Sequence, residues 1–420
     1  MSKANKLKIS KIYEILLIIL PISFLFSNLF SEILIFSIIF SIFFLIDKND
    51  LKKEFNNSIF ILFLIISSYL ILNYFVNIDK NPSISRSFFF IRFPIFAFSI
   101  YIILKEFNLN LKKIIIGWLI IFLIISFDIF FQFLNGKNLL GYSSVLQGNF
   151  YRLGGFLNDE LKIANLIIHF SIPVFVYFHK NMKLNRQNLL TLFFLFIIMV
   201  STVFLTGERS NFISLLIFFL IYFIFTNLRK NLLILIIISI PILFYSIKSY
   251  EPNLTNRMVI NLYEIFKKNI FEENQNGFLY KKNHYFAHYS TAIQIGQDYP
   301  FFGVGMKNFR NFCHLEKYDN KVHPNFRHIK CSTHPHNFHF EVISEIGFLG
   351  YLLFVLSFGT IFFKFFKKAF KNRDYFLFGN SIILIINFLP FLPKGSFFTN
   401  WNAMIFWTIF GLCIYSYKKV

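Results

Sequence analysis

The chain has 420 residues, of which 56% are hydrophobic and 21% aromatic, and its formal net charge at pH 7 is +21. Soluble domains are roughly 45–50% apolar, and runs of about 18 apolar residues recur here, so a soluble multidomain enzyme is excluded. Most of the positive charge comes from lysines between the apolar runs, which is typical of cytoplasmic loops and not of nucleic-acid binding.

The apolar runs predict an all-α polytopic membrane protein with about twelve transmembrane helices. The predicted spans are residues 12–30, 31–46, 59–76, 87–104, 114–133, 162–178, 189–206, 211–228, 231–249, 340–363, 375–392 and 401–417. Every second connection is rich in lysine and both ends of the chain are basic, so the positive-inside bias predicts that both termini are cytoplasmic. No small-residue cleavage site follows the first apolar run, so we expect the first helix to be retained.

The largest outward connection, between the ninth and tenth spans, is too long and too polar to be a simple turn, and loops of this length are usually functional. It divides the chain into residues 1–249, 250–339 and 340–420. Within it, Asn256–Lys268 and Tyr285–Gln297 each predict an amphipathic helix near the membrane surface, and Pro300–Gly305 predicts a turn.

Two of the three cysteines, Cys313 and Cys331, lie in this loop on the oxidising side of the membrane. This location predicts a disulfide that closes the loop, and two independent buried thiols are the alternative. Cys413 lies in the last span and is expected to be a small core residue.

Seven of the ten arginines lie on the outward side or in outward-facing ends of spans, which the positive-inside bias does not explain. These are Arg86, Arg92, Arg152, Arg209, Arg257, Arg310 and Arg327. Guanidinium groups bind phosphate bidentately, so the cluster fits a diphosphate-linked lipid donor; pairing with lipid headgroups or loop carboxylates is the alternative for Arg257, Arg310 and Arg327. Arg209 sits in a tight turn between two spans, and Arg92 lies inside an apolar run, where a cation is a functional candidate.

The junction between the loop and the tenth span concentrates groups that can do chemistry. His334, His336 and His339 form a His-X-His-X-X-His pattern, for which metal binding is a minor alternative because side chains two residues apart point differently. His336 is the best candidate for a general base, since a neutral imidazole can take a proton from a sugar hydroxyl. Asn337 is a candidate helix cap or a ligand for a sugar hydroxyl.

Two glutamates enter the apolar run that follows this junction. Glu341 and Glu345 share a helix face, so each is expected to pair with an arginine or to line a polar cavity. Gly347 and Gly350, on the same predicted helix, are expected to allow close packing against a neighbouring helix.

Several of these segments together resemble the O-antigen ligase family, a superfamily that also includes O-antigen polymerases. His336-Asn337, nine residues, and then Gly347-Phe-Leu-Gly350 is similar to the His-Asn and Gly-X-X-Gly signature of that family. The likeness runs from about residue 140 to the C-terminus, and its other segments follow in the same order. These are Arg152–Glu160, Gly207–Ser210, Pro300–Gly305 and Lys394–Trp401.

The resemblance implies a metal-independent glycosyl transfer, without a cofactor, at the periplasmic face of the bacterial inner membrane. The donor is a glycan on undecaprenyl diphosphate and the acceptor is a sugar of the lipid A core. By position, His336 takes the histidine role, and Arg152 and Arg209 take the diphosphate-binding roles. A further loop arginine of the family is replaced here by the neighbourhood of His284, so that histidine, Arg257 or Arg310 is expected to supply the second contact.

Arg86, Arg92 and Glu341 complete the predicted substrate contacts, with His336 and Asn337 as the catalytic pair and membrane lipids around the bundle. An O-antigen polymerase, which uses a second lipid-linked glycan as acceptor, is the first alternative function. A polysaccharide or lipid transporter is the second. A transporter is expected to carry ionisable groups near the middle of the membrane in both halves, whereas the polar groups here cluster at one rim.

Overall fold

The computed structural model describes residues 3–77, 84–182, 185–226, 230–260, 284–390 and 392–419. Within these ranges the chain is almost entirely helical, with one short pair of strands. The helices are α1 Lys3–Phe26, α2 Asn28–Leu45, α3 Lys48–Phe55, α4 Ser58–Val76, α5 Ile84–Phe89, α6 Arg92–Glu106, α7 Leu111–Asn135, α8 Ile163–Asn181, α9 Arg186–Leu205, α10 Arg209–Phe225, α11 Lys230–Tyr250, α12 Pro252–Thr255, α13 His284–Asp298, α14 Phe309–Phe312, α15 Phe338–Asn372, α16 Tyr375–Ile386 and α17 Asn400–Lys419.

A helix occupies the position of every predicted span. Among the described residues, eight helical segments are long and apolar enough to cross a membrane, and α10, α16 and residues 234–250 of α11 are shorter apolar helices. The chain is therefore a multi-pass helical membrane protein, and the count of twelve spans stays a prediction. The division into residues 1–249, 250–339 and 340–420 also stays a prediction.

Polar residues between the apolar runs set where several helices begin. The side chains of Asn57, Asn110 and Asn185 each accept a hydrogen bond from a backbone N–H in the first turn of the helix that follows. Such caps satisfy N–H groups that have no partner within the helix. At the other end, α7 stops at Gly136, which has the positive φ of 73° that glycine adopts without strain.

Aromatic side chains fill the centre of the helical bundle. Phe63 of α4 makes edge contacts with Trp407 and Phe410 of α17, at centroid distances of 4.8 and 5.4 Å, and a tilted contact with Phe358 of α15 at 5.7 Å. Between helices in lipid there is no hydrophobic driving force, so close packing of this kind holds the bundle together. Each such aromatic pair contributes about 0.5–1.5 kcal/mol beyond the area that it buries.

A β-hairpin lies between α7 and α8 and was not predicted from the sequence. Strands β1 (Val145–Gln147) and β2 (Phe150–Arg152) pair antiparallel, with Val145 opposite Arg152. Gly148, in the turn, has a φ of 66° that the two-residue connection requires. The hairpin fixes Arg152 at the end of β2.

Of the two amphipathic helices predicted in the outer loop, the second is confirmed as α13. The first begins as a π-helical turn, Asn256–Ile260, and the remainder of its predicted range, residues 261–268, lies outside the described residues.

Helix α15 is broken at Gly347, whose φ of 80° and ψ of 174° are not helical. The turn Pro300–Gly305 docks against this break: Val304 N donates to Ser344 O at 3.0 Å, Gly305 N to Glu345 O at 2.8 Å, and Phe348 N to Pro300 O at 2.7 Å. A Cβ on Gly347 would lie 2.4 Å from Phe301 O, so only glycine allows this approach. The outer loop therefore replaces hydrogen bonds that the helix loses at its break.

Candidate active site

One polar cavity of about 420 Å³ lies where the outer ends of several helices meet. Its wall is built from the end of β2, the start of α8, the turn between α9 and α10, the π-helical turn, the loop before α15 and the segment before α17. The charged and polar residues in this wall are Arg152, Lys162, Asn165, His169, Glu208, Arg209, Ser210, Asn211, Arg257, Tyr285, His336, Asn387, Lys394 and Asn402.

Three guanidinium groups converge on this cavity from different parts of the chain. Arg152 comes from β2, Arg209 is the first residue of α10, and Arg257 lies in the π-helical turn. Gly207 makes the turn before α10 possible, because its φ of 72° is one that side chains rarely adopt. The Nε of Arg257 donates to the Gly207 carbonyl at 3.5 Å, and its guanidinium carbon lies 4.1 Å from the centroid of the Phe150 ring.

The positive charge of these arginines is not balanced by ion pairs. None of the ion pairs found among the described residues involves Arg152, Arg209 or Arg257. Arg152 donates to two neutral oxygens, those of Gln147 and Leu161, both at 3.4 Å. Burial, helped by the other two guanidiniums, lowers the pKa of Arg257 to about 10. The cavity is thus a cationic site that favours an anionic ligand.

Glu208 supplies a carboxyl group to the cavity wall. One of its oxygens accepts from Ala164 N at 2.9 Å and the other from Asn211 Nδ2 at 2.6 Å. Burial raises the pKa of this carboxyl, while Arg152 and the two hydrogen bonds act in the opposite direction. Glu208 therefore ties the α9–α10 turn to the start of α8.

His336 faces the same cavity. Its backbone has a φ of 58°, and its Nε2 lies 2.9 Å from the Ser332 hydroxyl. The rings of His334 and His288 lie 4.2 and 5.4 Å from its own, centroid to centroid. Burial first, and then these two histidines and His284, lower the pKa of His336 to about 3. The imidazole is therefore neutral at physiological pH.

Residues 194–355 match the family model of O-antigen ligases. A search among curated proteins found no match. The similarity to O-antigen ligases thus extends over less than half of the chain. The matched residues include Arg209, Arg257 and His336, whereas Arg152 and Lys394 lie outside the matched range. The fold brings these five residues together around one cavity.

Asn337 holds the loop before α15 in place. Its Oδ1 accepts from His339 N at 3.0 Å and so caps α15. Its Nδ2 donates to the carbonyls of Leu389, Pro390 and Leu392 at 3.1–3.3 Å. Asn337 was predicted to cap the helix or to hold a sugar hydroxyl. The structure shows the helix cap, and both the oxygen and the nitrogen of the side-chain amide form hydrogen bonds within the protein.

Four predicted substrate contacts lie elsewhere in the fold. Arg92 pairs with Glu32 at 3.0 Å and also donates to Asn400 Oδ1 at 3.0 Å, so it joins α6 to α2 and α17. Arg86 lies within electrostatic range of Arg92 and Arg310, and Arg310 donates to Thr333 O at 3.2 Å. Glu341 accepts from Phe397 N at 3.0 Å and from the Ser396 hydroxyl. None of these four side chains lines the cavity.

His284 lies beside the histidine cluster and also does not line the cavity. Its ring is 6.4 Å from that of His288, and both burial and His288 lower its pKa. Instead, Arg257 supplies the additional cation in the cavity wall. The sequence leaves His284, Arg257 and Arg310 as candidates for this contact, and the fold selects Arg257 because it lines the cavity.

The outer loop contains the predicted disulfide, between Cys313 and Cys331, and Cys413 is a buried free thiol. Among the described residues, at least three potential metal ligands converge only at Cys313, His314 and Cys331, where the two thiols are joined to each other. The His-X-His-X-X-His pattern does not form a common site: the His339 nitrogens lie 3.1 Å from the Tyr351 hydroxyl and 2.6 Å from Phe388 O.

Lys394 was missed as a candidate site residue, although it stands in the segment that resembles the family. Its Nζ donates to Asn211 Oδ1 at 3.1 Å and to Ser214 Oγ at 2.7 Å. The available signal was a lysine in a connection assigned to the outward side, where the positive-inside bias predicts few.

Proposed function

We propose that the protein transfers a glycan from undecaprenyl diphosphate to a sugar of the lipid A core at the periplasmic face of the inner membrane. The observation that carries the proposal is the cavity itself. Three guanidiniums that form no ion pair within the described ranges line it together with one imidazole that burial keeps neutral. An anionic leaving group and a proton acceptor are the two requirements of this transfer.

Arg152, Arg209 and Arg257 bind the diphosphate of the donor. As the glycosidic bond to phosphate breaks, negative charge accumulates on the departing oxygen, and fixed guanidiniums stabilise it without reorganisation. Hydrogen bonds to a charged group contribute about 1.5–3 kcal/mol each. This arrangement needs no metal ion to neutralise the leaving group.

An apolar groove of about 590 Å³ between α7, α9 and α11 fits the polyprenyl chain of the donor. Leu205 lines the groove, and Gly207 and Glu208, a few residues further along the chain, line the cavity. Tyr250 also lines the groove, and the short helix α12 connects it to the π-helical turn that contains Arg257. A lipid tail gains little free energy on moving from membrane to groove, so the groove orients the donor and the arginines provide the affinity.

The acceptor hydroxyl attacks the anomeric carbon while its proton passes to His336. The Ser332 hydroxyl, 2.9 Å from Nε2, occupies the place that the acceptor hydroxyl takes in the reaction. Both oxygens of Glu208 are engaged by hydrogen bonds, which leaves that carboxylate unsuited to forming a covalent glycosyl intermediate. Direct displacement therefore inverts the anomeric centre.

A transfer assay with purified protein, lipid-linked donor and lipid A core acceptor tests the role of His336. His336→Ala is expected to lower the rate about 100-fold or more, because it removes the base. Ser332→Ala is the matched control, since it leaves the imidazole in place, and it is expected to retain activity. Equal activity of His336→Ala and the wild type removes this histidine from the mechanism. Loss of activity in chelator, restored by a divalent ion, contradicts the metal-independent reaction.

The arginine cluster is tested separately, by the donor KM. Arg209→Ala is expected to raise the donor KM, because one of the three charges that hold the diphosphate is lost. Arg327→Ala is the control, since that arginine is exposed and lies outside the cavity. Equal KM values for Arg209→Ala and the wild type contradict donor binding in this cavity.

Complementation identifies the acceptor. The chain is expressed in one strain that lacks O-antigen ligase and in another that lacks O-antigen polymerase. We expect the glycan attached to the lipid A core to return in the first strain. Its return only in the second strain identifies a polymerase instead. No change in either strain, together with movement of unaltered glycolipid across vesicles, identifies a transporter.

A further inference from the structure

Lys394 is placed to do more than support the loop. It lies between α16 and α17, in a segment that lines the cavity together with Pro393 and Gly395. Among the described residues its ammonium group donates to two neutral acceptors, Asn211 Oδ1 at 3.1 Å and Ser214 Oγ at 2.7 Å, both on α10. An ammonium group has three N–H donors, so these two bonds leave one donor for a ligand.

The backbone of Lys394 connects it to the proposed base. Its N–H donates to His336 O at 2.7 Å, and its carbonyl accepts from His334 Nε2 at 3.3 Å. The backbone of Lys394 is therefore anchored to the loop that contains His336, and its ammonium group is anchored to α10, which begins with Arg209. Its position relative to both groups is fixed by hydrogen bonds.

Among the described residues that line the cavity around the amine, Glu208 is the acidic one. Asn211 separates it from Glu208, since Asn211 Nδ2 donates to Glu208 Oε2 at 2.6 Å. The other charged or titratable groups that line this cavity are His169, His336, Lys162, Tyr285 and the three arginines, with His334 bonded to the Lys394 carbonyl. Glu208 is held by other donors, and no ion pair in the described part of the chain involves Lys394.

We infer that Lys394 is a fourth cation of the donor site and binds the departing diphosphate through its ammonium group, an inference that rests on the proposed function. A compact ammonium with three rotatable donors complements the planar guanidiniums, because it reaches phosphate oxygens that their forks do not. Its link to the His336 loop couples occupation of the phosphate site to the position of the base.

The protonation of this amine makes the inference testable. Burial lowers the pKa of Lys394 to about 8, and Glu208 opposes this effect. A bound anion favours the protonated form, so affinity is full below pH 8 and falls as the pH rises above it. A lysine that only supported the fold would not give the anion affinity this pH dependence.

The experiment measures the binding of undecaprenyl diphosphate to the full-length protein in detergent between pH 7.5 and 9.5. We expect the wild-type Kd to rise about tenfold over this range, because the amine loses its proton. Lys394→Arg stays charged throughout and is expected to show less than a threefold change. Lys394→Met is expected to bind about tenfold more weakly than the wild type at pH 7.5. Lys364→Met, a lysine bonded to Ser58 and outside the cavity, is the matched control and is expected to match the wild type.

The outcomes distinguish a failure of the proposed function from a failure of the role inferred for Lys394. A wild-type protein that does not bind undecaprenyl diphosphate overturns the proposed function and this inference with it. Binding by the wild type with the same pH dependence in Lys394→Arg overturns the inference alone, since another group then titrates. Should Lys394→Met fail to fold, the comparison of wild type with Lys394→Arg still decides.

Discussion

Lowering the assay pH from 7.5 to 5.0 tests the environment of His336. A histidine with the ordinary pKa of about 6.5 is only about 3% neutral at pH 5.0, so a base of that kind would lose about 30-fold in rate. Burial and three neighbouring histidines lower the pKa of His336 to about 3. The imidazole then stays neutral down to about pH 4, and its share of the rate is unchanged at pH 5.0.

The assay is the initial rate at subsaturating donor, because kcat/KM reports the ionisation of the free enzyme. The diphosphate of the donor is esterified at both ends and stays fully ionised in this range. Stability, unlike this rate, is expected to depend on pH: the unfolded chain takes up a proton on this histidine below about pH 6.5 and the folded chain does not, so the fold weakens as pH falls. The folded fraction is therefore measured at each pH by size-exclusion chromatography.

The control variant is Glu208→Gln, which cannot titrate at the carboxyl whose pKa is raised by burial. A fall in rate at low pH that disappears in this variant is caused by protonation of Glu208. Alternatively, the rate of Glu208→Gln, corrected for unfolding, still falls at low pH with a midpoint between pH 6 and 7. That result refutes the claim that His336 stays neutral because it is buried.

Three further substitutions test structural roles. Asn337→Ala is expected to destabilise the protein by about 2 kcal/mol, because a helix cap is lost and buried carbonyls lose their donor; an unchanged Tm would contradict this. Replacing Cys313 and Cys331 with serine removes a cross-link over a separation of 18 residues, and is expected to cost about 3 kcal/mol in the unfolding of the outer loop; equal protease resistance with and without the bond argues against it. Arg92→Ala leaves Glu32 unpaired and is expected to cost about 3 kcal/mol of stability without changing the donor KM, whereas a raised KM with normal stability would return Arg92 to the binding site.

The helical architecture was predictable from the sequence because membrane spans depend on local apolar runs. A helix lies at each predicted span, and polar caps such as Asn57 and Asn110 mark where the helices begin. Boundaries were less predictable. α16 ends at Ile386, six residues before the predicted end, and Pro390 follows shortly after it.

The candidate site was predictable where local chemistry and motif order coincide. Arg152, Arg209 and His336 do line one cavity. Arg92 shows the limit of such reasoning: a cation within an apolar run signals a partner, but Glu32, which is 60 residues away, is identified only by the packing of α6 against α2. Lys394 was passed over for the same reason, since its neighbours Asn211 and Ser214 lie on a distant helix.

The break in α15 has a consequence for how a lipid-borne substrate gains access. Backbone groups of Pro300–Gly305 and of residues 344–348 satisfy one another at the membrane boundary. Peeling the outer loop away would leave them without partners where water is scarce. We therefore expect that the loop does not open like a hinged cover. Under the proposed function, the donor is expected to enter sideways from the bilayer, tail first along α9 and α11, while its sugars remain outside.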